Sequence, residues 1–160
     1  MIESEKVMQS ANVQKPVHDL GVAAFILMQS FALAGRKDKS FIFHIPKDKL
    51  KEFEDQKTAY LFSEFHYFDH CLMGLKKLEE YPFGINSNKF VTDLGAAAFL
   101  LMHKFKLIGK KGRAFYFECN TKEDEIQFDE LNLQYTSSVF HDFDSKLMSL
   151  KKIGEFNRER

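Results

Sequence analysis

Two short basic segments, at matching places in the chain, contain the side chains best suited to chemistry. Each segment has three cations within four residues, and closely spaced cations bind the phosphates of nucleic acids with an affinity that falls as salt is added. Two further lysines come just before the second segment, and an aromatic residue follows it. The expected nucleic-acid-binding residues are Arg36, Lys37, Lys39, Lys104, Lys106, Lys110, Lys111, Arg113 and Tyr116.

The same cations have a simpler interpretation. Both segments are expected at the turns of β-hairpins, where Lys and Arg keep a protein soluble and protect the edges of a sheet. The Phe residues that follow each segment alternate so that they point to the core, which leaves mainly Tyr116 to stack on a base. The sequence therefore favours contact with the phosphate backbone over base stacking.

Other polar groups give no strong sign of catalysis or metal binding. His66 and Asp69, matched by His141 and Asp144, lie three residues apart on one side of a helix, where a carboxylate could hold a His as a general base. No nucleophile or phosphate-binding loop accompanies either pair. A zinc-like spacing of two His residues in the first half is not kept in the second. We therefore expect a protein that is not an enzyme, with no metal and no cofactor.

Composition limits the class of protein. The chain has 160 residues, 23 of them basic and 23 acidic, so any binding of nucleic acid must come from local patches. Its 18 Phe and absence of Trp predict a core of phenyl rings. The longest apolar runs are far shorter than the roughly 20 residues that span a bilayer. With two cysteines at non-equivalent positions, we expect free thiols and a cytoplasmic protein without membrane contact.

The chain contains an internal repeat. The segment VHDLGVAAFILMQSFALAGRKDKSFIF, from Val17, aligns without gaps to VTDLGAAAFLLMHKFKLIGKKGRAFYF, from Val91, and about half of the positions are identical. After one inserted residue the match continues as far as FHYFDHCLMGLKKL, from Phe65, and FHDFDSKLMSLKKI, from Phe140. The expected organisation is a flexible tail at 1–15, one copy at 16–80, a turn-rich linker at 81–89 and a second copy at 90–156.

Each copy predicts the order helix, strand, strand, helix, helix. Asp19 and Asp93 are the expected N-caps of a first helix that is apolar nearly all round, and therefore buried on more than one side. In the second strand of the hairpin, alternation puts Phe41, Phe43 and Ile45 on the buried face. The last helix carries Phe and Leu at helical spacing. The expected starts of the two later helices are Pro46 and Ser63 in copy one and Thr121 and Ser138 in copy two.

The predicted fold class is α+β. A lone hairpin is marginal in water because its edges and one face stay open. Two copies remove this problem if their hairpins join about a pseudo-two-fold axis, as two subunits of a homodimer would. We therefore expect one antiparallel sheet of about four strands with helices packed on it, in a molecule that can also form a homo-oligomer.

Both copies resemble a small domain family of unknown function found in bacterial and phage proteins. The shared features are a DLG-AAF-LL opening, a basic hairpin tip, an F-x-F strand and a closing helix with LKK. The resemblance covers nearly the whole chain; it implies the fold and carries over no catalytic residues. Members of the family resemble a single copy, whereas this chain has two.

Two functions are consistent with the sequence. The first is a non-enzymatic nucleic-acid-binding protein that holds the phosphate backbone with two basic hairpin tips. The alternative is a protein-protein interaction adaptor, which a phage could encode, with no nucleic-acid contact. The paired basic tips favour the first function, and the zero net charge favours the second.

Overall fold

The computed structural model describes residues 12–81 and 89–153. Within these ranges each half of the chain forms three strands and three α-helices, and a one-turn 3-10 helix at Lys47–Lys49 precedes the second helix of the first half. The first half contains β1 (Val13–Val17), α1 (Leu20–Met28), β2 (Ala32–Lys37), β3 (Ser40–Ile45), α2 (Leu50–Leu61) and α3 (Glu64–Lys76). The second half contains β4 (Phe90–Val91), α4 (Leu94–Met102), β5 (Leu107–Lys111), β6 (Ala114–Phe117), α5 (Lys122–Tyr135) and α6 (Val139–Lys151).

The strands form two antiparallel sheets of three strands, in the orders β1-β3-β2 and β4-β6-β5. The α+β class is therefore confirmed, but the single sheet of about four strands is not. The difference comes from β1 and β4, which the sequence interpretation missed. Strand β1 contains Pro16, which has no N–H to donate and is tolerated here because β1 lies at the edge of its sheet.

The chain divides into two compact units, and neither of them is a continuous half. Among the described residues, unit 1 contains 12–63 and 145–153, and unit 2 contains 64–81 and 89–144. Unit 2 thus includes α3 from the first half, and unit 1 includes the later part of α6 from the second half. The predicted copies therefore do not coincide with the compact units.

The first helix of each half is capped as expected. Asp19 Oδ1 accepts a hydrogen bond from the backbone N–H of Val22, and Asp93 Oδ1 accepts one from Gly95, both at 3.0 Å. These bonds satisfy N–H groups that have no partner inside the helix. Two residues after the end of α4, Lys104 has a φ of 73°, and the N–H of Phe105 donates to the Leu100 carbonyl, which is a Schellman-type ending.

Phenyl rings fill the core of unit 1, as the composition predicted. The expected alternation of β3 is confirmed, because Phe41, Phe43 and Ile45 are all buried. Phe53 of α2 contacts Phe43 with ring centroids 6.2 Å apart, and Tyr60 contacts Phe25 of α1 at 5.5 Å. The sheet, α1 and α2 are therefore held together by aromatic contacts, each of which adds about 1 kcal/mol beyond the area buried.

The core of unit 2 is built around Tyr135, at the end of α5. Its ring packs against Phe99 of α4 and stacks on Phe68 of α3, with centroids 5.5 and 6.2 Å apart. Its hydroxyl donates to Asp144 Oδ2 at 3.4 Å. Burial, together with the charge of Asp144, raises the pKa of Tyr135 well above its usual value, so the ring is neutral at physiological pH. Helix α3 therefore supplies part of the packing for a tyrosine of the other half.

Several smaller predictions are also confirmed, and others fall outside the described residues. Thr121 forms a capping box with Asp124 at the start of α5, and Ser138 Oγ accepts from the N–H of His141 in the first turn of α6. The predicted tail at 1–15 overlaps β1, which begins at Val13, and its first 11 residues lie outside the description. Most of the predicted linker, 82–88, and the end of copy two, 154–156, lie outside it as well.

The glycine of the second DLG segment is required by the packing of Tyr135. A Cβ at Gly95 would overlap the Tyr135 hydroxyl and lie 3.0 Å from Asp144 Oδ2, whereas a Cβ at Gly74, inside α3, would meet nothing within 4 Å. We expect Gly95→Ala to destabilise the protein by about 1–3 kcal/mol, and Gly74→Ala to be neutral or to stabilise it by up to about 1 kcal/mol. Urea unfolding measures both changes in the free energy of unfolding, provided that the slope of the transition is the same in each variant. Equal midpoints for the two variants would contradict the packing described here.

Candidate nucleic-acid interface

Each basic segment lies on a hairpin, but the turn itself is shorter than the sequence suggested. Asp38 and Lys39 form the first turn, and Gly112 and Arg113 form the second, since Lys37 pairs with Ser40 and Lys111 pairs with Ala114. The first residue of each turn has a positive φ, 56° for Asp38 and 62° for Gly112. Asp and Gly are among the residues that adopt this conformation most readily. The remaining cations of each segment therefore lie on the strand that leads into the turn.

Arg36 does not project to solvent as an open binding group. Its Nε donates to the carbonyl of Asp38 at 2.9 Å, and its Nη1 donates to the carbonyl of Ile153 at 3.0 Å. Ile153 follows the end of α6, where carbonyl groups have no partner within the helix and the helix dipole favours a cation. Arg36 therefore fixes the end of α6 inside unit 1.

Lys110 has the same role at the equivalent position of unit 2. Its Nζ donates to the carbonyl of Leu78 at 2.9 Å, just beyond the end of α3, and lies 5.5 Å from the centre of the Phe115 ring. The backbone N–H of Tyr81 also donates to the carbonyl of Lys110. The chain after α3 therefore runs along the outer edge of β5 and covers it.

These contacts involve two of the six hairpin cations in the predicted site. Arg36 and Lys110 are used for internal structure, and the other four side chains are exposed. In the described part of the chain, none of these four takes part in an ion pair. The cations that remain open are Lys37, Lys39, Lys111 and Arg113.

Acidic groups lie close to both turns. Asp38 is itself a turn residue, and Glu80 Oε2 accepts a hydrogen bond of 2.6 Å from the backbone N–H of Gly112. Each carboxylate lowers the positive potential of its tip, because opposite charges at short range offset each other in the field that a phosphate meets. The tips are therefore only moderately basic.

Lys104 and Lys106 lie before the second hairpin, as their place in the sequence indicated, and not at its tip. Both precede β5, and Lys111 lies five positions after Lys106, about 16 Å along the strand. The Nζ of Lys104 lies 6.0 Å from the centre of the Tyr67 ring. Both lysines line a cavity of about 310 Å3 together with the acidic side chains of Glu118 and Asp124. A second cavity of about 320 Å3 occupies the equivalent place in unit 1. A cavity at this place is therefore a feature that both units share.

Tyr116 lies on the solvent face of the second sheet, beside an aromatic residue that the sequence interpretation did not select. Phe90 of β4 pairs directly with Tyr116 of β6, and the two ring centroids are 5.2 Å apart with an angle of 37° between the planes. Phe90 is 47% exposed. Phe90 lies three residues before Asp93, where an apolar residue starts a short strand, but only the pairing of β4 with β6 places it beside Tyr116.

The other candidate groups have structural partners. Asp144 accepts the Tyr135 hydrogen bond, and the His141 ring packs edge-on against Tyr135 at 5.3 Å. Burial raises the pKa of the Cys71 thiol, although the charge of Lys104 partly offsets this, so the thiol is less reactive than usual. Among the described residues, no three His, Cys, Asp or Glu side chains converge in a way that could hold a metal ion.

Replacing Arg36 is expected to lower stability, unlike replacing its neighbour. Arg36→Ala removes the hydrogen bond to the end of α6 and should cost about 1–3 kcal/mol, because the donor is charged and part-buried. Lys37→Ala changes an exposed side chain and should stay within about 0.5 kcal/mol of the parent. Thermal and urea unfolding of both variants measure the difference. Equal effects would show that the Arg36 contact contributes nothing.

Comparison with known proteins adds no family relationship. No family model matches the chain, and no curated protein sequence or solved structure is significantly similar to it. No helix in the described ranges is long and apolar enough to cross a membrane. The expected resemblance to a small domain of bacterial and phage proteins therefore stays a prediction, and function has to be inferred from the residues themselves.

Proposed function

We propose that the protein binds nucleic acid without being an enzyme, and that it contacts the phosphate backbone through its two hairpin turns. The observation that carries this proposal is that two exposed cations recur at equivalent places in both hairpins, Lys37 and Lys39 in one and Lys111 and Arg113 in the other. Two cations two positions apart on a hairpin tip can each contact one of two neighbouring phosphates on a strand. A small ligand with one negative charge would use only one of them.

The charge distribution sets the expected strength of binding. With no net charge on the chain, long-range attraction is weak, so affinity depends on the few direct phosphate contacts. Four contacts predict a slope of about −3 in a plot of log affinity against log salt concentration. The acidic groups at the tips, Asp38 and Glu80, reduce the affinity further. We therefore expect modest binding that is clear only at low salt.

Reversing the charge at one tip should abolish most of this binding. We expect Lys111→Glu/Arg113→Glu to weaken binding of fluorescein-labelled DNA and RNA at least tenfold at low salt, and to make the salt slope shallower by about two. Fluorescence anisotropy across a salt series measures both quantities. The matched control is Lys47→Glu/Lys122→Glu, which changes the net charge by the same amount on exposed lysines at the first turns of two helices.

The control separates a local site from a general charge effect. If the control variant loses as much affinity as the tip variant, the turns have no special role. If the parent protein binds neither DNA nor RNA at low salt, the proposal is wrong. Circular dichroism of both variants shows whether the fold is kept.

We also propose that the chain is a tandem duplication. Both halves have the element order β-α-β-β-α-α, and the equivalent cations Arg36 and Lys110 bind equivalent carbonyl groups. In unit 2 the contacts between α3 and the first part of α6 are reciprocal: Phe65 contacts Phe143 at 5.3 Å, and Phe68 contacts Phe140 at 5.4 Å. Reciprocal contacts between equivalent residues are typical of a two-fold axis.

A duplication with exchanged elements should survive a cut between its halves. We expect a chain with a protease site inserted in 82–88 to remain one particle after cleavage, because unit 2 needs α3 from the first fragment and unit 1 needs the end of α6 from the second. Size-exclusion chromatography with light scattering should give a mass close to the 18.7 kDa of the uncut chain. Two separate fragments would contradict the exchange.

A protein-interaction adaptor is the second candidate, and one observation favours it. Leu61 and Phe62, at the end of α2, are 54% and 86% exposed. The equivalent residues of the second half are Thr136 and Ser137, so this apolar corner is specific to the first half. Exposed large apolar side chains that lie side by side mark contact sites more often than isolated ones do. If no nucleic acid binds, this corner is the first surface to mutate before a search for a protein partner.

A further inference from the structure

We propose that Phe90 and Tyr116 form a platform on which an unpaired base of single-stranded nucleic acid stacks. This inference rests on the proposed function, because it adds a base contact to a protein that already holds phosphates. We call these two residues the aromatic pair. It lies on the sheet of unit 2, away from the buried core.

The sheet geometry puts the aromatic pair on the solvent side. Their neighbours in sequence, Val91, Phe115 and Phe117, are all buried on the opposite face, and side chains along a strand alternate between faces. On the other side of Tyr116, the paired residue of β5 is Gly109. Glycine has no side chain, so β5 places no side chain directly opposite the tyrosine ring.

Charge lies where a phosphate would follow a stacked base. Lys111 pairs with Ala114, which is two residues from Tyr116 along β6. Directly opposed residues of an antiparallel pair share a face, so Lys111 is on the same face as the aromatic pair and about 7 Å along it. Arg113 follows in the turn. Along this face the aromatic rings are followed by cations. Sites that bind single-stranded nucleic acid combine the same two kinds of side chain.

Single strands fit this surface better than duplexes. In a duplex both faces of each base are covered by neighbouring bases, so only an unpaired base can stack on a protein ring. The first unit has Pro16 and Ile42 in place of the aromatic pair. The platform is therefore a property of unit 2 alone, even though both units have a basic turn.

The test compares strands with and without bases. Fluorescence anisotropy of the full chain is measured at low salt with three labelled probes: oligo-dT of about 15 nucleotides, an abasic strand with the same number of phosphates, and a duplex of the same length. We expect the parent protein to bind oligo-dT about tenfold more tightly than the abasic strand. Phe90→Leu/Tyr116→Leu should remove this preference and leave binding of the abasic strand unchanged, because leucine keeps apolar packing but has no ring face.

Two further variants make the result specific. Phe90→Tyr keeps an aromatic face and should retain the preference for oligo-dT. Phe62→Leu removes the most exposed phenyl ring of unit 1 and should change nothing. If the parent binds oligo-dT and the abasic strand equally, or if the double leucine variant keeps the preference, the stacking platform is overturned while phosphate binding stands. If no probe binds the parent, both proposals are overturned together.

Discussion

A short helix that is apolar on every side is the constraint on which the rest of the structure depends. In α4 the residues from Gly95 to Leu100 are all buried, so no face of this helix is left for water. A helix of this kind must be covered from several directions. In unit 2 that cover comes from α5, β4 and α3, and α3 belongs to the other half of the sequence. The need to bury one helix thus explains why a compact unit includes part of both halves.

The ends of the closing helices impose a second condition, which decides the role of the basic segments. Carbonyl groups after the last turn of a helix have no partner within it. Here Arg36 and Lys110 each reach one of them, at Ile153 and Leu78. A cation that satisfies a carbonyl near the negative end of a helix dipole is well placed for stability and less able to bind a ligand. This is why the candidate interface contains fewer open cations than the sequence suggests.

Local features of the fold could be predicted, and those that depend on distant partners could not. The N-caps at Asp19 and Asp93 and the buried alternation of β3 follow from residues a few positions apart, and all were confirmed. The partners of Arg36 and Lys110 are 117 and 32 residues away in sequence, and no local pattern identifies them. Strands β1 and β4 were missed because β1 contains a proline and β4 has only two residues.

The candidate site was predicted in part for the same reason. Lys37, Lys39, Lys111 and Arg113 are exposed, as residues at or next to a tight turn usually are. Tyr116 was selected because of its place in the F-x-F strand, but its neighbour Phe90 could be found only once the register of β4 and β6 was known. Pairing between strands, which is set by tertiary structure, therefore decides what the surface presents.

Because unit 1 contains residues 145–153, it cannot be completed while the ribosome is still making the second half. At translation speeds of about 5–20 residues per second, the strands and helices of unit 1 in the first half are synthesised several seconds before residues 145–153, which complete the unit. During this interval a neighbouring nascent chain on the same messenger RNA can offer an equivalent helix. Expression at a low initiation rate should therefore favour correct closure within one polypeptide.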